Sequence, residues 1–217
     1  MNNNLFIFGN GDIAEIAYYY FTNHSEFKPK GFIVDNEFYE KGNFCGLNVF
    51  STEDFLKLKN DEDKIFVALG YSKLNKTREN KYLFFKKRGY KFANFVSQKA
   101  TILNDNNIGE NCMILENNVI QPFVKIGNNV TIWSGNHIGH HSVIEDNTFI
   151  SSHVVISGRV KIKNNTFIGV NSTFRDNIIV GDHSIIGAGS LILKNTDSYS
   201  VFRNPASIKS KISSDKI

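Results

Sequence analysis

The chain has 217 residues, a formal charge of +4, and 41% hydrophobic and 21% charged residues, the makeup of a globular protein able to bury its own core. The mild, scattered charge argues against a nucleic-acid surface, since the one basic run, Lys86-Lys87-Arg88, falls at a predicted helix end where cations meet the dipole. Cys45 and Cys112 lie far apart without metal-ligand spacing, no apolar run approaches the roughly 18 residues of a spanning helix, and the N-terminal run is too short for a signal peptide; a reduced, cytoplasmic chain without membrane insertion is expected.

Up to about residue 100 strand-like and helix-like segments alternate. The run LFIFG (5–9) reads as a buried parallel strand that stops at glycine, and DIAEIAYYYFTNH follows with helical spacing. PKGFIVDN supplies a second strand, Gly31 to Val34, ending on Asp35. STEDFLKLKN opens with a capping-box-like Ser51 and Asp54 and continues as a short helix. KIFVALG (64–70) is a third strand ending at glycine, KLNKTRENKYLFFKKRGY a long helix, and KFANFV closes the set. The alternation predicts a small parallel α/β sheet with right-handed crossovers over residues 1–98.

After residue 100 the period becomes six. Every sixth residue from Ile102 to Ile192 is aliphatic or Phe174, sixteen positions without an insertion, fourteen of them isoleucine. The residue four further on is usually small, as at Cys112, Val124, Ser142, Thr148, Val154, Thr166, Ser172 and Ser190. Glycine often follows the aliphatic residue, as at Gly109, Gly127, Gly139, Gly169, Gly181 and Gly187, and is expected to help the chain turn. Such a repeat predicts a triangular prism of short parallel strands. Three hexapeptides make one eighteen-residue coil, the aliphatic residue points to the axis, and residues 99–217 hold slightly more than five coils and a tail.

The pattern [LIV]-G-x-x-[STAV]-x resembles the hexapeptide-repeat acyltransferases, whose domain is a left-handed parallel β-helix. LFIFGNGDIAEIA, GFIVDN and VALG are similar to the Rossmann-like nucleotide-sugar-binding domain of one subgroup, the sugar acyltransferases related to sialic-acid O-acetyltransferase, the bacillosamine-pathway acetyltransferase and perosamine N-acetyltransferase. VFRNPASIKSK (201–211) resembles the Gly-x-Pro-Ala exit of that family, with Asn204 in place of the usual glycine. The resemblance implies a homotrimer with active sites in clefts between neighbouring prisms, acetyl-CoA as co-substrate, no resident metal, and a role in surface-glycan (lipopolysaccharide O-antigen) biosynthesis.

GNGDIA places Gly9, Gly11 and Ala14 between a strand and a helix, where backbone N–H groups and the helix N-terminus can hold a pyrophosphate. A tight turn without a ligand and a dinucleotide enzyme with Asp35 on a ribose are the competing readings. About four strands are too few for both halves of a dinucleotide fold, so a mononucleotide half binding a nucleotide-diphospho-sugar fits better. The resemblance implies that the nucleotide lies against Gly9, Asn10 and Gly11 with Asp35 and Asn36 near its base or ribose. It further places Gly70, Tyr71 and Ser72 in the same crevice and leaves Asn75 and Arg78 on the following helix, Arg78 as a candidate phosphate partner because its fork matches phosphate oxygens.

Half of the six histidines fall in IWSGNHIGHHSV (132–143). Acyl transfer needs a base for the nucleophile and a donor for the oxyanion, and imidazole is matched to neutral pH. His137 ends one repeat, while His140 and His141 are third and fourth in the next, at a corner after Gly139; plain surface histidines are the alternative. The resemblance assigns the base to His140, with His141 standing where the family has an acid, Glu145 or Asp146 as substitute carboxylates, and His137 as cleft lining. It puts Phe149 where a second histidine contacts the acetyl carbonyl, His153 near the cofactor, and the pantetheine along Gly158, Gly169, Val170, Gly187 and Ala188. Lys194, Arg203 and Lys209 are candidates for the CoA phosphates. N-acetylation of a nucleotide-linked 4-amino-6-deoxyhexose is the leading expectation and O-acetylation the second. A zinc enzyme of carbonic-anhydrase type using His137, His140, His141 and His153, and a non-catalytic nucleotide-sugar binder, are the readings from other classes.

Overall fold

In a computed structural model, which describes residues 3–58, 60, 62–103, 105 and 107–212, the opening apolar run becomes the central strand of a sheet. Strand β1 (Asn4–Phe8) leads into helix α1 (Asp12–His24), whose Ala14, Ala17 and Phe21 are buried against the sheet. Strands β2 (Lys28–Val34), β3 (Asn43–Phe44) and β4 (Leu47–Ser51), helix α2 (Thr52–Lys57), strand β5 (Lys64–Val67), helix α3 (Lys76–Lys86) and strand β6 (Lys91–Phe92) follow. The order is β3-β4-β2-β1-β5-β6, parallel throughout except for the β3–β4 hairpin. Two apolar clusters face opposite sides of the sheet, one with Phe21, Phe32 and Phe66 under α1, the other with Phe8, Phe55 and Phe85 under α2 and α3.

The capping residue behaves as expected: Ser51 Oγ accepts the Asp54 N–H at 3.0 Å. Lys59, within the predicted extent of that helix, is outside the described residues. Strands β3 and β4 have no counterpart in the sequence reading. Leu47–Ser51 becomes a strand because β2 offers it an open parallel edge, pairing Phe32 with Val49 and Val34 with Ser51.

The six-residue period folds as a left-handed parallel β-helix with three faces. Face one stacks Thr101–Ile102, Val119–Ile120, His137–Ile138, Val155–Ile156, Thr173–Phe174 and Leu191–Ile192. Face two stacks Lys125–Ile126, Val143–Ile144, Lys161–Ile162 and Ile179–Val180, with a bridge from Ile108 to Ile126. Face three stacks Phe95–Val96, Met113–Ile114, Thr131–Ile132, Phe149–Ile150, Phe167–Ile168, Ile185–Ile186 and Val201–Phe202. Partners are eighteen residues apart, as in Ile120 on Ile138 and Ile138 on Ile156. The aliphatic column fills the axis, with Ile114, Ile120, Ile132, Ile138, Ile144 and Ile150 fully buried. Phe95–Val96 already pairs with Met113–Ile114, so the prism begins upstream of the expected break at 98/99.

Turning is done by a different residue than expected. Every sixth position from Asn111 to Gly189 has positive φ, including Asn129 (56°), His141 (62°), His153 (59°) and Asn177 (59°). These corner residues are left-handed, a conformation in which asparagine and histidine are enriched. The glycines after the aliphatic residue, such as Gly139, Gly169 and Gly181, lack positive φ. They are needed because the next coil passes too close: a Cβ on Gly139 would lie 2.5 Å from the Ser157 carbonyl carbon, and one on Gly181 would lie 2.3 Å from the Asp197 carbonyl carbon. Buried asparagines tie the coils further, Asn111 Nδ2 donating to Asn129 Oδ1 and Asn129 Nδ2 to Asn147 Oδ1, both at 2.7 Å.

The exposed corner residue Asn177 isolates the left-handed requirement. Asn177→Val is expected to cost about 1–2 kcal/mol, while Asn177→Gly changes stability by only a few tenths. Thermal melting of the two variants checks the difference.

Candidate active site

Strand order reverses between β1 and β5, so the loops after these strands flank a crevice at the carboxyl edge of the sheet. Gly9 has φ of 120° and a Cβ there would lie 2.8 Å from the Ala68 carbonyl oxygen, so only glycine lets β1 leave the sheet at this point. Gly11 caps α1 and Asn10 is exposed between them. Asp35, just after β2, and Asn36 line a neighbouring cleft of about 520 Å³ together with Thr52, Leu56, Lys81 and Phe84. Asp35 is paired with Lys81 Nζ at 2.5 Å, and Asn36 Oδ1 accepts the Glu53 N–H at 3.1 Å.

The crevice continues past Gly70 to Tyr71, which departs from the expected role by reaching the prism. Its ring meets Phe149 at 5.0 Å and Phe167 at 4.6 Å, and Phe149 also stacks on Phe167 and lies near Trp133. Phe149 is thus buried on face three beneath the N-terminal unit rather than beside His140. The next turn, Lys73-Leu74-Asn75, is left-handed at three successive residues, and Asn75 is fully buried with no partner for either side-chain atom.

Arg78 does not face the crevice. It is 1% exposed, and its guanidinium donates to the carbonyls of Val67, Asn129 and Asn111 and to Thr131 Oγ1. The residue therefore bolts α3 to the prism. Burial pulls the group down to about 10, so it stays charged at neutral pH. Lys81, not singled out from sequence, takes the cleft position instead, paired with Asp35. Tyr82 extends the same seam with a 2.6 Å hydrogen bond to Glu110, and Tyr20 on α1 does so with one of 2.8 Å to Glu116.

His140 and His141 lie at the corner between faces one and two, away from the face that carries the N-terminal unit. The His140 N–H donates to Gln121 Oε1 at 2.9 Å. Its ring lies over Gly158, where a Cβ would come within 2.8 Å of Nε2. Gly158 in turn donates its N–H to Asp176 Oδ1 at 2.9 Å. His140 Nδ1 is 3.1 Å from His141 Nδ1, and the His141 ring rests on Phe123 at 4.6 Å. His137 is half-buried on face one between Val119 and Val155.

Neither proposed carboxylate orients His140. Glu145 follows the face-two strand and is held by Lys161 at 2.7 Å and Asn164 at 3.0 Å. Asp146 accepts the Asn128 N–H at 2.7 Å, closing the coil before its own. Both are at the next corner, where the geometry of the turn engages them. The cofactor candidates also divide. Gly158 and Lys194 share the His140 corner, whereas His153, Gly169, Val170, Gly187 and Ala188 occupy the corner between faces three and one. The His153 ring packs on Gly135 there. Beyond the last coil, Asn204 donates to the Gly189 carbonyl at 2.9 Å, while Arg203 and Lys209 are exposed. Among the described residues no group of three or more His, Cys, Asp or Glu could hold a metal ion, and burial pushes the Cys112 thiol up to about 12.

Comparison with known proteins bears on both the repeat and the fold. The family model for bacterial transferase hexapeptide (six repeats) matches residues 107–139, 124–158 and 159–194. Residues 107–194 thus carry the bacterial transferase hexapeptide repeat, and the fold over nearly the whole chain is similar to that of solved acetyltransferases. The acetyltransferase domain of PglB from Neisseria gonorrhoeae FA1090, solved with acetyl coenzyme A, superposes with a TM-score of 0.82 at 20% identity, covering 93% of this chain and 96% of that one. A mutant of perosamine N-acetyltransferase from Caulobacter crescentus, solved with CoA and GDP-perosamine, gives 0.81 at 17% identity over 96% and 97% of the two chains. WeeI from Acinetobacter baumannii AYE gives 0.77 at 19% identity over 91% and 94%. No curated protein matches the chain in sequence.

Replacing Arg78 separates its role from that of Lys81. Arg78→Met is expected to cost about 3 kcal/mol, seen as a drop in melting temperature of roughly 6–12 °C. Lys81→Met on the cleft side of the same helix should shift it by less than about 2 °C.

Proposed function

We propose that this protein is an acetyl-CoA-dependent N-acetyltransferase acting on the amino group of a nucleotide-linked 4-amino-6-deoxyhexose, with His140 as general base. The observation that carries the reading is the accessible His140 ring, held by its backbone and by Nδ1 on a prism corner with Gly158 beneath it. The Nε2 edge of such a ring can take a proton from the sugar amine as its nitrogen attacks the thioester carbonyl. The new C–N bond forms, the oxyanion collapses, the C–S bond breaks, and the CoA thiolate leaves with the proton that His140 returns.

The nucleotide would lie in the crevice of Gly9, Asn10, Gly11, Asp35 and Asn36, with its pyrophosphate at the start of α1. His140 sits at the far corner of the same chain, so the two meet only between copies. A homotrimer with clefts between prisms provides that meeting. It also sets Gly158 and Lys194 of one prism opposite Gly169, Val170, Gly187 and Ala188 of the next, the path proposed for the pantetheine. Ligands in the similar structures, acetyl coenzyme A in one and CoA with GDP-perosamine in another, support the substrate classes.

Two measurements test the reading. In a thermal-shift panel of UDP-, dTDP-, GDP- and CMP-sugars, one nucleotide series at 100-fold over its Kd should add about 2.7 kcal/mol of stability. Free-thiol release from acetyl-CoA should then require the 4-amino sugar of that series, and His140→Ala should lower kcat by about 10²–10⁴ without lowering the melting temperature. Turnover of the hydroxy sugar alone would identify O-acetylation, and turnover of neither would overturn the proposal.

A further inference from the structure

His140 has an unusual neighbour for a proposed base. Its Nδ1 is 3.1 Å from the Nδ1 of His141, with the ring centroids 5.2 Å apart and the planes at 88°. Two neutral imidazoles in that arrangement share one hydrogen. Either His140 donates it and keeps an acceptor at Nε2, or His141 donates it and His140 carries its hydrogen on Nε2, where it cannot act as a base. The structure fixes the pair from both sides. His141 is held in the left-handed corner conformation with φ of 62°, its N–H donates to the Pro122 carbonyl at 3.2 Å, and its ring lies on Phe123 at 4.6 Å. The nearby acids are occupied: Glu145 by Lys161 and Asn164, Asp146 by Asn128, and Asp176 by the Gly158 N–H.

We propose that His141 is the positioning residue for His140, a neutral imidazole acceptor doing what a carboxylate does beside other catalytic histidines. This rests on the reading of His140 as the base. The His140 Nδ1–H donates to His141 Nδ1, which fixes the tautomer with an open Nε2 and the ring angle over Gly158. When Nε2 takes the substrate proton, the Nδ1–H bond becomes charge-assisted and steadies the imidazolium. The pair then holds one extra proton, and a second would place two donors face to face. The coil before them presents the neutral Gln121, Pro122 and Phe123 at this corner. The coils after them present Arg159, whose N–H donates to the His140 carbonyl, and Asp176 on the Gly158 N–H.

His141→Phe, His141→Asn and His141→Asp separate this role from a structural one, and Phe123 at φ of 67° shows that phenylalanine is tolerated at the equivalent place one coil earlier. With the amino sugar selected by the panel, His141→Phe should lower kcat by about 10- to 100-fold with KM for both substrates within about two-fold. His141→Asn, which keeps an acceptor, should recover most of that loss. His141→Asp should stay active and move the acidic limb of kcat/KM to higher pH by about one unit or more, since a carboxylate favours the charged imidazole. Imidazole ¹⁵N NMR of the unliganded protein gives a readout that needs no turnover: His140 should carry its hydrogen on Nδ1 in the wild type and lose that preference in His141→Phe. Wild-type kcat and pH profile in His141→Phe, or an Nε2-protonated His140 in the wild type, would overturn the assignment. Undiminished turnover in His140→Ala would instead overturn the base on which it rests.

Discussion

The stacking of each coil's backbone on the next, eighteen residues on, is the constraint from which the rest of the molecule follows. It assigns a duty to almost every place in the hexapeptide. The first and fifth residues fill the axis, as Ile138 and Ser142 do. Where glycine stands second it leaves room for the neighbouring coil, as Gly139 does. The fourth must be left-handed. The third and sixth places are free to vary, and several of the candidate site residues stand there: His137 at the sixth, and His140, Gly158, Asp176 and Lys194 at the third.

The N-terminal unit depends on the same regularity. Face three offers Met113, Thr131 and Phe149 outward, and all three are buried under α1, α3 and the loop after β5. A desolvated Arg78 is expensive to bury, and the expense is offset because three backbone carbonyls and one hydroxyl converge on it from β5 and two successive coils. The repeat creates that convergence, because Asn111 and Asn129 stand one above the other. Fixing the sheet in this way also fixes the crevice after β1 and β5 on one side of the prism and leaves the His140 corner on another.

How much of this was legible depended on whether the determining interaction was local. The aliphatic column is periodic in the sequence itself, so the prism and its register followed from Ile102 to Ile192 without reference to anything distant. The strand-glycine-helix of Gly9 to Ala14 was legible for the same reason. Arg78 was misread because its partners on the prism lie 33 to 53 positions away, and a helical arginine after a crevice strand looks the same whether it faces phosphate or prism. Glu145 was misread because proximity in sequence crosses a corner here: five residues carry the chain from one edge of face two to the other. The asparagines at half of these corners are visible in the sequence and carry the missing signal. Reading Asn111, Asn117, Asn129, Asn147, Asn165, Asn171 and Asn177 as one series would have shown which residue turns the chain and freed glycine for its actual part.

That series also changes what a histidine means in this fold. His141, His153 and His183 all occupy the left-handed fourth place, so the backbone alone accounts for their type. His140 stands at the third place and is owed no such explanation. The same constraint narrows what can stand beside the base proposed at this corner. Its neighbour must accept a left-handed backbone and offer a hydrogen-bond acceptor at short reach, which restricts it to asparagine, aspartate or histidine. Histidine here is therefore one of the few side chains that the turn and the chemistry both accept. On the role proposed for His141, the absence of an acid after His140 is a substitution within that small set.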